Sequence, residues 1–289
     1  MLCAALTRRA MVTKNLLSLE SHFRFGENWR SYAETVDEVA LTEAANSFQR
    51  LIAGDLIGKR VLDIGCGSGV HALAALRLGA AAVQGIDLDP DSVTAAMTVL
   101  SRHAATHPWR IDHKSVFDIT SEEFGTFDVV YSWGVLHHTG NMEEAIRRAT
   151  TLVSPGGFFV FALYRKTWLC PFWKWEKRWY AHAAPLQQQI AQWLYTVLFR
   201  LGLRATGRRF AQYVATYKTH RGMDFYHDVH DWLGGWPYES ISAPDVERLM
   251  RGLGFERVRT FVGAGWRLAG RQLGLLGSGC DEYVYRKTP

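Results

Sequence analysis

A group of glycines with two aspartates contains the residues of this chain best suited to hold a ligand. The stretch LDIGCGSG places Gly65, Gly67 and Gly69 at alternate positions after Asp63, and Asp87 ends the next apolar run in GIDLD. Glycines let the backbone turn sharply and approach a ligand closely. An acid at the end of the second strand of such a unit accepts hydrogen bonds from ribose hydroxyls. The pattern therefore predicts a crevice that binds a nucleoside.

The spacing of these glycines separates two kinds of nucleoside ligand. A dinucleotide site has its third glycine one residue further on, where Val70 stands, so that a pyrophosphate lies on the helix N-terminus. Glycines spaced by single residues after an aspartate suit a ligand that has no phosphate and carries an ammonium and a sulfonium group. We therefore expect S-adenosylmethionine as the cofactor.

Alternating strands and helices position these residues. From Lys59 onward, short apolar runs alternate with amphipathic stretches, which predicts a doubly wound parallel sheet. The predicted strands are RVLDIG, AVQGID, WRIDHKSVF, FDVVYSW, GGFFVFALY, FERVRTFVG and DEYVYRK. The last two follow each other without a helix between them, so we expect them to pair antiparallel. The predicted fold class is α/β, a Rossmann-like seven-stranded sheet with an antiparallel last strand and a helical cap insertion.

The cap insertion begins where the alternation stops, at Arg165. The chain there becomes rich in Trp, Arg and Gln, and a set of apolar residues recurs at helical spacing, namely Ile190, Trp193, Leu194, Val197, Leu198 and Leu201. We therefore divide the single domain into four parts: an N-terminal helical segment or lid (1–57), a cofactor-binding core (58–164), a helical cap that forms the acceptor site (165–240) and the remainder of the core sheet (241–289).

Composition narrows the location of the protein. The chain has 289 residues, 48% of them hydrophobic, and four scattered cysteines, which argues against a disulfide framework and favours a reducing cytoplasm. The opening MLCAALTRRAMVTKN places its apolar run before its arginines, so we expect no export signal. No later run is apolar enough over a sufficient length to span a bilayer.

Charge is concentrated in the cap. The net charge is +5, but residues 165–221 contain eleven Lys or Arg and one acid, a local balance of +10. Three interpretations are open for this basic, Trp-rich segment: a lid that supplies an apolar acceptor pocket, a membrane-surface element, or a grip on an acidic polymer such as RNA. Nucleic acid is the least favoured of these, because the basic residues are mixed with apolar ones and form no clean stripe.

Four motifs of the core occur in a familiar order, namely VLDIGCGSG, GIDLDPDSV, GTFDVVYSWGVLHHTG and VSPGGFFVFALY. With them, residues 58–162 and the terminal strands resemble the class I S-adenosylmethionine-dependent methyltransferases. The stretches FRFGENW, RGMDFYHDVHDWLGGWPYE and GSGCDEYVYR are similar to a bacterial group of stand-alone methyltransferases. The resemblance implies methyl transfer and leaves the acceptor and the oligomeric state open.

The resemblance also implies roles for individual positions. The methionine part of the cofactor would contact Asp63 and the three glycines, and the ribose would contact Asp87. The other implied cofactor contacts are Leu88 on the adenine, Val116, Phe117 and Asp118 at the adenine edge, Ser132 and Trp133 beside the sulfonium, and Asn28 and Trp29 in a lid.

Two histidines are the candidates for catalysis. His137 and His138 follow the fourth strand, at the carboxyl edge of the sheet, where ligands of open α/β folds bind. A sulfonium is already an activated methyl donor, so the enzyme chiefly aligns a nucleophile and excludes water. A hydroxyl acceptor benefits from a general base, whereas a neutral amine or a thiolate needs none. One of the histidines as that base is our hypothesis, and a histidine that only hydrogen-bonds the loop is the alternative.

The stretch HRGMDFYHDVHDWLGGWPYE, residues 220–239, combines three histidines with three aspartates. Metal binding, structural hydrogen bonding and acceptor recognition are all open for it, since a short helix would place His227 and Asp231 on one face. We expect no metal and predict that the acceptor is recognised by Tyr226, His227, Asp231 and Glu239.

We predict a methyltransferase that acts on an O, N or S nucleophile of a small molecule. A membrane-soluble quinone or lipid as acceptor, with the cap resting on the bilayer, is the first alternative. An RNA methyltransferase, or a regulator that binds S-adenosylmethionine without turnover, is the second. The predicted location is the cytoplasm, with peripheral membrane contact if the first alternative holds.

Overall fold

The computed structural model describes residues 22–52, 54–217, 224–263, 267–268 and 271–289. The leading stretch on which the export prediction rests lies outside these residues, as do residues 220–223 of the histidine-rich stretch. Within the described residues, no helix is both long enough and apolar enough to cross a membrane.

Helices and strands alternate through the core, as predicted. The described helices are α1 (Phe25–Glu34), α2 (Glu38–Leu51), α3 (Val70–Arg77), α4 (Pro90–His103), α5 (Ser121–Phe124), α6 (Met142–Thr151), α7 (Cys170–His182), α8 (Pro185–Ala205), α9 (Phe210–Ala215), α10 (Phe225–Gly234) and α11 (Ala243–Gly252). The described strands are β1 (Arg60–Ile64), β2 (Ala82–Asp87), β3 (Trp109–His113), β4 (Phe127–Trp133), β5 (Val153–Tyr164), β6 (Phe255–Phe261), β7 (Arg267–Leu268), β8 (Arg271–Gln272) and β9 (Cys280–Lys287).

One seven-stranded sheet carries the site. Its order is β3-β2-β1-β4-β5-β9-β6, and β1 to β5 run parallel. Strand β9 lies between β5 and β6 and is antiparallel to both, which confirms the predicted sheet and its antiparallel end. A short hairpin of β7 and β8 separates β6 from β9 along the chain. The strand order reverses between β1 and β4, and in open α/β sheets this reversal opens a crevice at the carboxyl ends of the strands.

Helices cover both faces of the sheet because its central strands are apolar on both sides. Successive side chains of a strand point to opposite faces. Val61 and Val129 accordingly join the core under α1 to α4, and Leu62 and Val130 join the core under α6 and α11. All four side chains are buried. The sheet is therefore a rigid platform for the loops at its carboxyl edge.

The cap lies between β5 and α11 and contains α7 to α10. Three of these helices meet at a polar junction, where the Tyr180 hydroxyl lies 2.7 Å from His230 Nδ1 and accepts a hydrogen bond of 2.7 Å from Gln192 Nε2. Aromatic residues surround the junction, including Phe199 and Phe225. The amphipathic helix predicted around residues 190–201 is part of α8, although its apolar row faces outward rather than into this core.

Candidate active site

The glycine loop after β1 is a tight cradle. Gly65, Gly67 and Gly69 have φ angles of 73°, 53° and 75°, in the left-handed region that favours glycine. A Cβ on Gly65 would lie 2.4 Å from Val135 Cγ1, and one on Gly67 would lie 3.1 Å from Trp29 Cε2. Side chains at these two positions would fill the space in which the loop meets its neighbours.

Gly69 lies in a different environment from the other two glycines. It is the N-cap of α3, and a Cβ there would lie 2.9 Å from Cα of Ala96 on α4. Gly69 does not line the cavity described below. Its close approach to a backbone atom indicates that it permits helix packing, so the cofactor contact implied for it stays a prediction.

Two buried acids stand behind the cradle. Asp87 accepts hydrogen bonds from the backbone N–H of Gly67 at 3.0 Å and of Asp89 at 2.9 Å, and burial raises its pKa to about 6. Asp63 is 3% exposed, and its Oδ2 has no hydrogen-bond partner among the described residues. Burial, followed by the charge of Asp87, raises the pKa of Asp63 to about 7. A cationic ligand would stabilise both carboxylates in their ionised form.

A single cavity of about 1540 Å³ joins the cradle to the cap. At the sheet end it is lined by predicted cofactor residues: Trp29, Gly65, Gly67, Asp87, Leu88, Val116, Phe117 and Trp133. At the cap end it is lined by His137, His138, Tyr164, Arg165, Tyr195, Phe199, Phe225 and Asp231. The structure thus places most of the predicted cofactor residues and both catalytic candidates around one space.

Besides Gly69 and Asn28, three more predicted cofactor residues lie outside this lining. Asp63 is behind the cradle, and Ser132 is fully buried, where its Oγ donates to the Ile64 carbonyl at 3.0 Å. Asp118 is exposed, and its backbone N–H donates to the Ser115 carbonyl. The roles implied for these three residues stay predictions.

Trp133 is held in place at the end of β4. Its Nε1 donates to Glu282 Oε1 at 2.9 Å, and Glu282 in turn lies 2.7 Å from an Arg50 guanidinium nitrogen. The last strand of the sheet and helix α2 therefore fix the indole that borders the cavity.

Helix α1 links the cradle to the cap. The Trp29 ring lies against Gly67, and the backbone N–H of Gly26 donates to Asp89 Oδ2 at 3.0 Å. Asn28, on the same helix, donates from Nδ2 to Asp231 Oδ1 at 2.8 Å. Residues 25–34 therefore contact both ends of the site, and their predicted function as a lid stays a prediction.

The two histidines differ in their hydrogen bonds. His138 Nδ1 lies 2.7 Å from the Pro237 carbonyl, so this nitrogen carries the proton and Nε2 carries the lone pair. His137 Nδ1 accepts from the backbone N–H of Tyr164 at 3.3 Å, which leaves the proton on Nε2, an atom with no partner among the described residues. Burial lowers the pKa of His138 to about 3 and, with the neighbouring His138, lowers that of His137 well below its ordinary value. Both rings are neutral at physiological pH.

The histidines and aspartates of the stretch from 224 to 239 each find a partner within the protein. His227 Nδ1 lies 3.1 Å from Asp224 Oδ1, Asp228 accepts from the Tyr217 hydroxyl, and His230 and Asp231 make the contacts given above. No group of three or more His, Cys, Asp or Glu that could hold a metal ion occurs in the described part of the chain.

Of the four predicted acceptor-binding residues, Asp231 alone lines the cavity. Burial, followed by the charge of Asp228, raises the pKa of the Asp231 carboxyl well above its ordinary value. Tyr226 is 54% exposed, and His227 contacts the carboxylate of Asp224, the N-cap of α10. Glu239 accepts from the backbone N–H of Met142 at 2.7 Å, at the start of α6. An acceptor-binding function for these other three stays a prediction.

The cluster around Arg165 is not among the predicted site residues. The Arg165 guanidinium donates to Asp281 Oδ1, from Nε at 2.8 Å, and to Gln272, and both Arg165 and Gln272 line the cavity. Arg165 follows the last residue of β5, so the rule that ligands bind at the carboxyl ends of strands could have identified it. Its partners could not be identified, because they lie more than a hundred residues away.

Comparison with known proteins identifies related sequences and folds. A family model described as "Methyltransferase domain" matches residues 32–260. The ubiquinone biosynthesis O-methyltransferase of Xanthomonas oryzae pv. oryzae is 36% identical over 115 residues, which are 39% of this chain and 46% of that protein. The enzyme of the same name from Chromobacterium violaceum is 37% identical over 109 residues, 37% of this chain and 45% of that protein. The chain thus spans about half the length of these curated relatives.

Two solved structures share the fold. The magnesium protoporphyrin IX methyltransferase of Synechocystis PCC 6803, solved with bound SAH, has a TM-score of 0.50 and 16% identity over 88% of this chain and 85% of that one. An S-adenosylmethionine-dependent methyltransferase from Mesorhizobium loti has a TM-score of 0.50 and 18% identity over 86% of this chain and 100% of that one.

Proposed function

Because the chain belongs to the methyltransferase-domain family, we propose that it transfers a methyl group from S-adenosylmethionine to an O, N or S nucleophile of a small-molecule acceptor. The observation that carries the proposal is the single cavity that runs from the glycine cradle and Asp87 to His138 and the aromatic cap. A donor held at one end and an acceptor held at the other would meet within it.

The residues of the cradle fit this cofactor. Backbone at Gly65 and Gly67 leaves room that a Cβ would occupy, and Asp87 ends β2 at the place for a ribose. Asp63 has a buried carboxylate oxygen that finds no partner among the described residues. When bound, the cofactor supplies an activated methyl group on a sulfonium. Asp63 and Asp87 would balance its positive charge, and Trp29 would cover it from α1.

The remaining residues would orient the acceptor. Trp133, fixed by Glu282, forms part of the wall at the sheet end of the cavity. His138 carries the lone pair of Nε2, so it would accept a hydrogen bond from an acceptor hydroxyl and orient its oxygen, whereas His137 keeps its proton on the buried Nε2. The apolar residues of the cap exclude water, which prevents competing hydrolysis.

Oxygen is the favoured acceptor atom, because the matched curated relatives are named as O-methyltransferases. The second candidate function is methylation of a membrane-soluble quinone or lipid by a cytoplasmic protein that associates with the bilayer. Two observations favour it: aromatic residues line the cap end of the cavity, and α8 exposes an apolar face. Nothing comparable favours RNA or a regulator without turnover.

Two measurements test the proposal, namely binding of S-adenosylmethionine and release of S-adenosylhomocysteine. We expect calorimetry to detect binding of S-adenosylmethionine to the purified chain, and Asp87→Ala to weaken it by about a hundredfold, since a buried charged hydrogen-bond acceptor is lost. A screen of phenols, amines and thiols, read out as S-adenosylhomocysteine release, identifies the acceptor. With a phenolic acceptor, His138→Gln should lower kcat at unchanged cofactor affinity. Tight binding of S-adenosylmethionine with no product from any acceptor class would favour a regulator instead. No binding of S-adenosylmethionine would exclude both the methyltransferase and the regulator.

A further inference from the structure

Helix α8 packs with its polar and aromatic face inward. Gln188 and Gln192 donate to the Tyr180 carbonyl and hydroxyl, and Tyr195 and Phe199 pack against the aromatic core of the cap. Residues three or four positions apart share one face of a helix, so 188, 192, 195 and 199 define the inner face. Its opposite face carries aliphatic residues and a tryptophan.

The outer face of α8 is exposed over its whole length. Leu186 is 67% exposed, Trp193 63% and Leu198 59%, and the intervening turns expose Ile190, Leu194 and Leu201. This arrangement is the reverse of the usual one, in which a helix of a globular protein turns its apolar stripe to the core. Apolar patches of this kind mark surfaces that contact a partner or a membrane.

Helix α7 repeats the arrangement. Trp173, Lys177 and Tyr180 define its buried face. On the opposite face Phe172, Trp175 and Trp179 are exposed, at 49%, 64% and 40%. The two helices are therefore joined through their inner faces at Tyr180, and each keeps an apolar row on its outer side.

Charge indicates what the outer face contacts. No Asp or Glu occurs from residue 177 to residue 223. Arg200 and Arg204 lie on the same side of α8 as Trp193 and Leu201, and both are exposed. In the described part of the chain neither arginine forms an ion pair with an acidic side chain. Apolar and aromatic residues flanked by unpaired basic ones match the boundary of a bilayer with anionic headgroups.

We propose that the outer face of α8, from Leu186 to Arg204, docks on an anionic lipid surface. Its aliphatic residues and Trp193 enter the boundary between headgroups and acyl chains, and Arg200 and Arg204 contact the phosphates. Leu198 belongs both to this face and to the wall of the cavity, so the docked face lies beside the acceptor site. The proposal rests on the membrane-soluble acceptor considered above, but lipid binding is measured without any methyl transfer.

Thiol labelling on the full chain tests which partner covers the face. Ile190 on α8 and Met97 on α4 are exposed to similar extents, 50% and 46%. In buffer, Ile190→Cys and Met97→Cys should react with a maleimide at similar rates, measured above the wild-type background. Vesicles that contain phosphatidylglycerol should slow labelling of Ile190→Cys by about tenfold and leave Met97→Cys unchanged, because docking buries α8 alone. Vesicles of phosphatidylcholine should have little effect.

Other occupants give different results, and each would overturn the proposal. If Ile190→Cys is labelled slowly in buffer and faster after dilution of the protein, a second copy of the chain covers the face. Slow labelling at every concentration shows coverage by another part of the same chain. Equal rates with and without vesicles show that no docking occurs.

A charge variant provides the second measurement. Arg200→Ala with Arg204→Ala should reduce co-sedimentation with anionic vesicles by about tenfold or more, since each basic residue near such a surface contributes about fivefold. Arg102→Ala on α4, also exposed, is the matched control and should leave binding unchanged. Binding that survives the double change contradicts the proposed contact. Vesicle binding by a chain that fails to bind S-adenosylmethionine would support the docking surface and refute the proposed function.

Discussion

Alanine substitutions at Gly69 and Gly134 would distinguish two energetic costs of a side chain on a turn. One is the cost of the left-handed backbone conformation, and the other is the cost of a steric contact. Both glycines have a φ angle of 75°. Alanine at either position destabilises the folded state by about 1–2 kcal/mol, because it must adopt the left-handed conformation. About 0.5 kcal/mol of this loss is offset because alanine also restricts the unfolded chain. A Cβ on Gly134 would meet no atom of the described segments within 4 Å, whereas one on Gly69 would lie 2.9 Å from Cα of Ala96. The contact with a backbone atom adds about 1–3 kcal/mol, because α3 and α4 must separate.

We therefore expect Gly134→Ala to lower the free energy of unfolding by about 1 kcal/mol and Gly69→Ala to lower it by about 2–4 kcal/mol. Urea unfolding followed by circular dichroism measures both, with equal slopes of free energy against urea as the condition for comparing them. Equal losses for the two variants would refute the reasoning, since the close approach of Gly69 to α4 would then cost nothing.

Two further predictions follow from buried polar groups. Burial raises the pKa of Asp63 from 3.8 to about 7, so the acid stabilises the fold below about pH 4 and this contribution is lost as pH rises through about 7. As the pH rises from about 5 to about 8, Asp63→Asn should therefore become more stable relative to wild type, measured as the free energy of unfolding in urea. A difference between the two proteins that stays constant over this range would contradict the expectation. Asn28→Ala leaves the Asp231 carboxyl without its amide donor, which should cost about 1–3 kcal/mol in thermal unfolding and raise the KM for the acceptor more than it changes kcat. Ser31→Ala, on the exposed side of α1, is the control, and similar behaviour of the two variants would refute the role assigned to Asn28.

The core of the fold could be predicted because its signals are local. The run VLDIGCGSG contains a strand, a turn and the start of a helix within nine residues, and the structure has β1, three left-handed glycines and α3 there. The antiparallel end of the sheet was predictable as well, since the absence of a helix between two strands restricts how they pair. The family match confirms the resemblance drawn from these motifs.

The connections between distant residues could not be predicted in the same way. Asn28 and Asp231 are separated by 203 positions, and Arg165 and Asp281 by 116, and no local pattern relates either pair. The periodicity of α8 identifies two faces but does not determine which one meets the core. Here Gln192 contacts Tyr180 on the inner side, and Trp193, the next residue, is exposed. Composition alone would have predicted the opposite, with Trp193 in the core and Gln192 facing solvent.

Strand β9 determines when the site can exist during synthesis. Residues 280–287 leave the ribosome after the other six strands of the main sheet, yet they lie between β5 and β6 and supply Glu282, which holds Trp133. A nascent chain that stops before residue 280 contains every motif of the cofactor cradle, but β6 has no neighbour in the main sheet and the indole has lost its acceptor. Interrupted translation would therefore release chains that carry the family's sequence signature and no completed site, so a motif in a truncated product is no measure of methyl transfer in the cell.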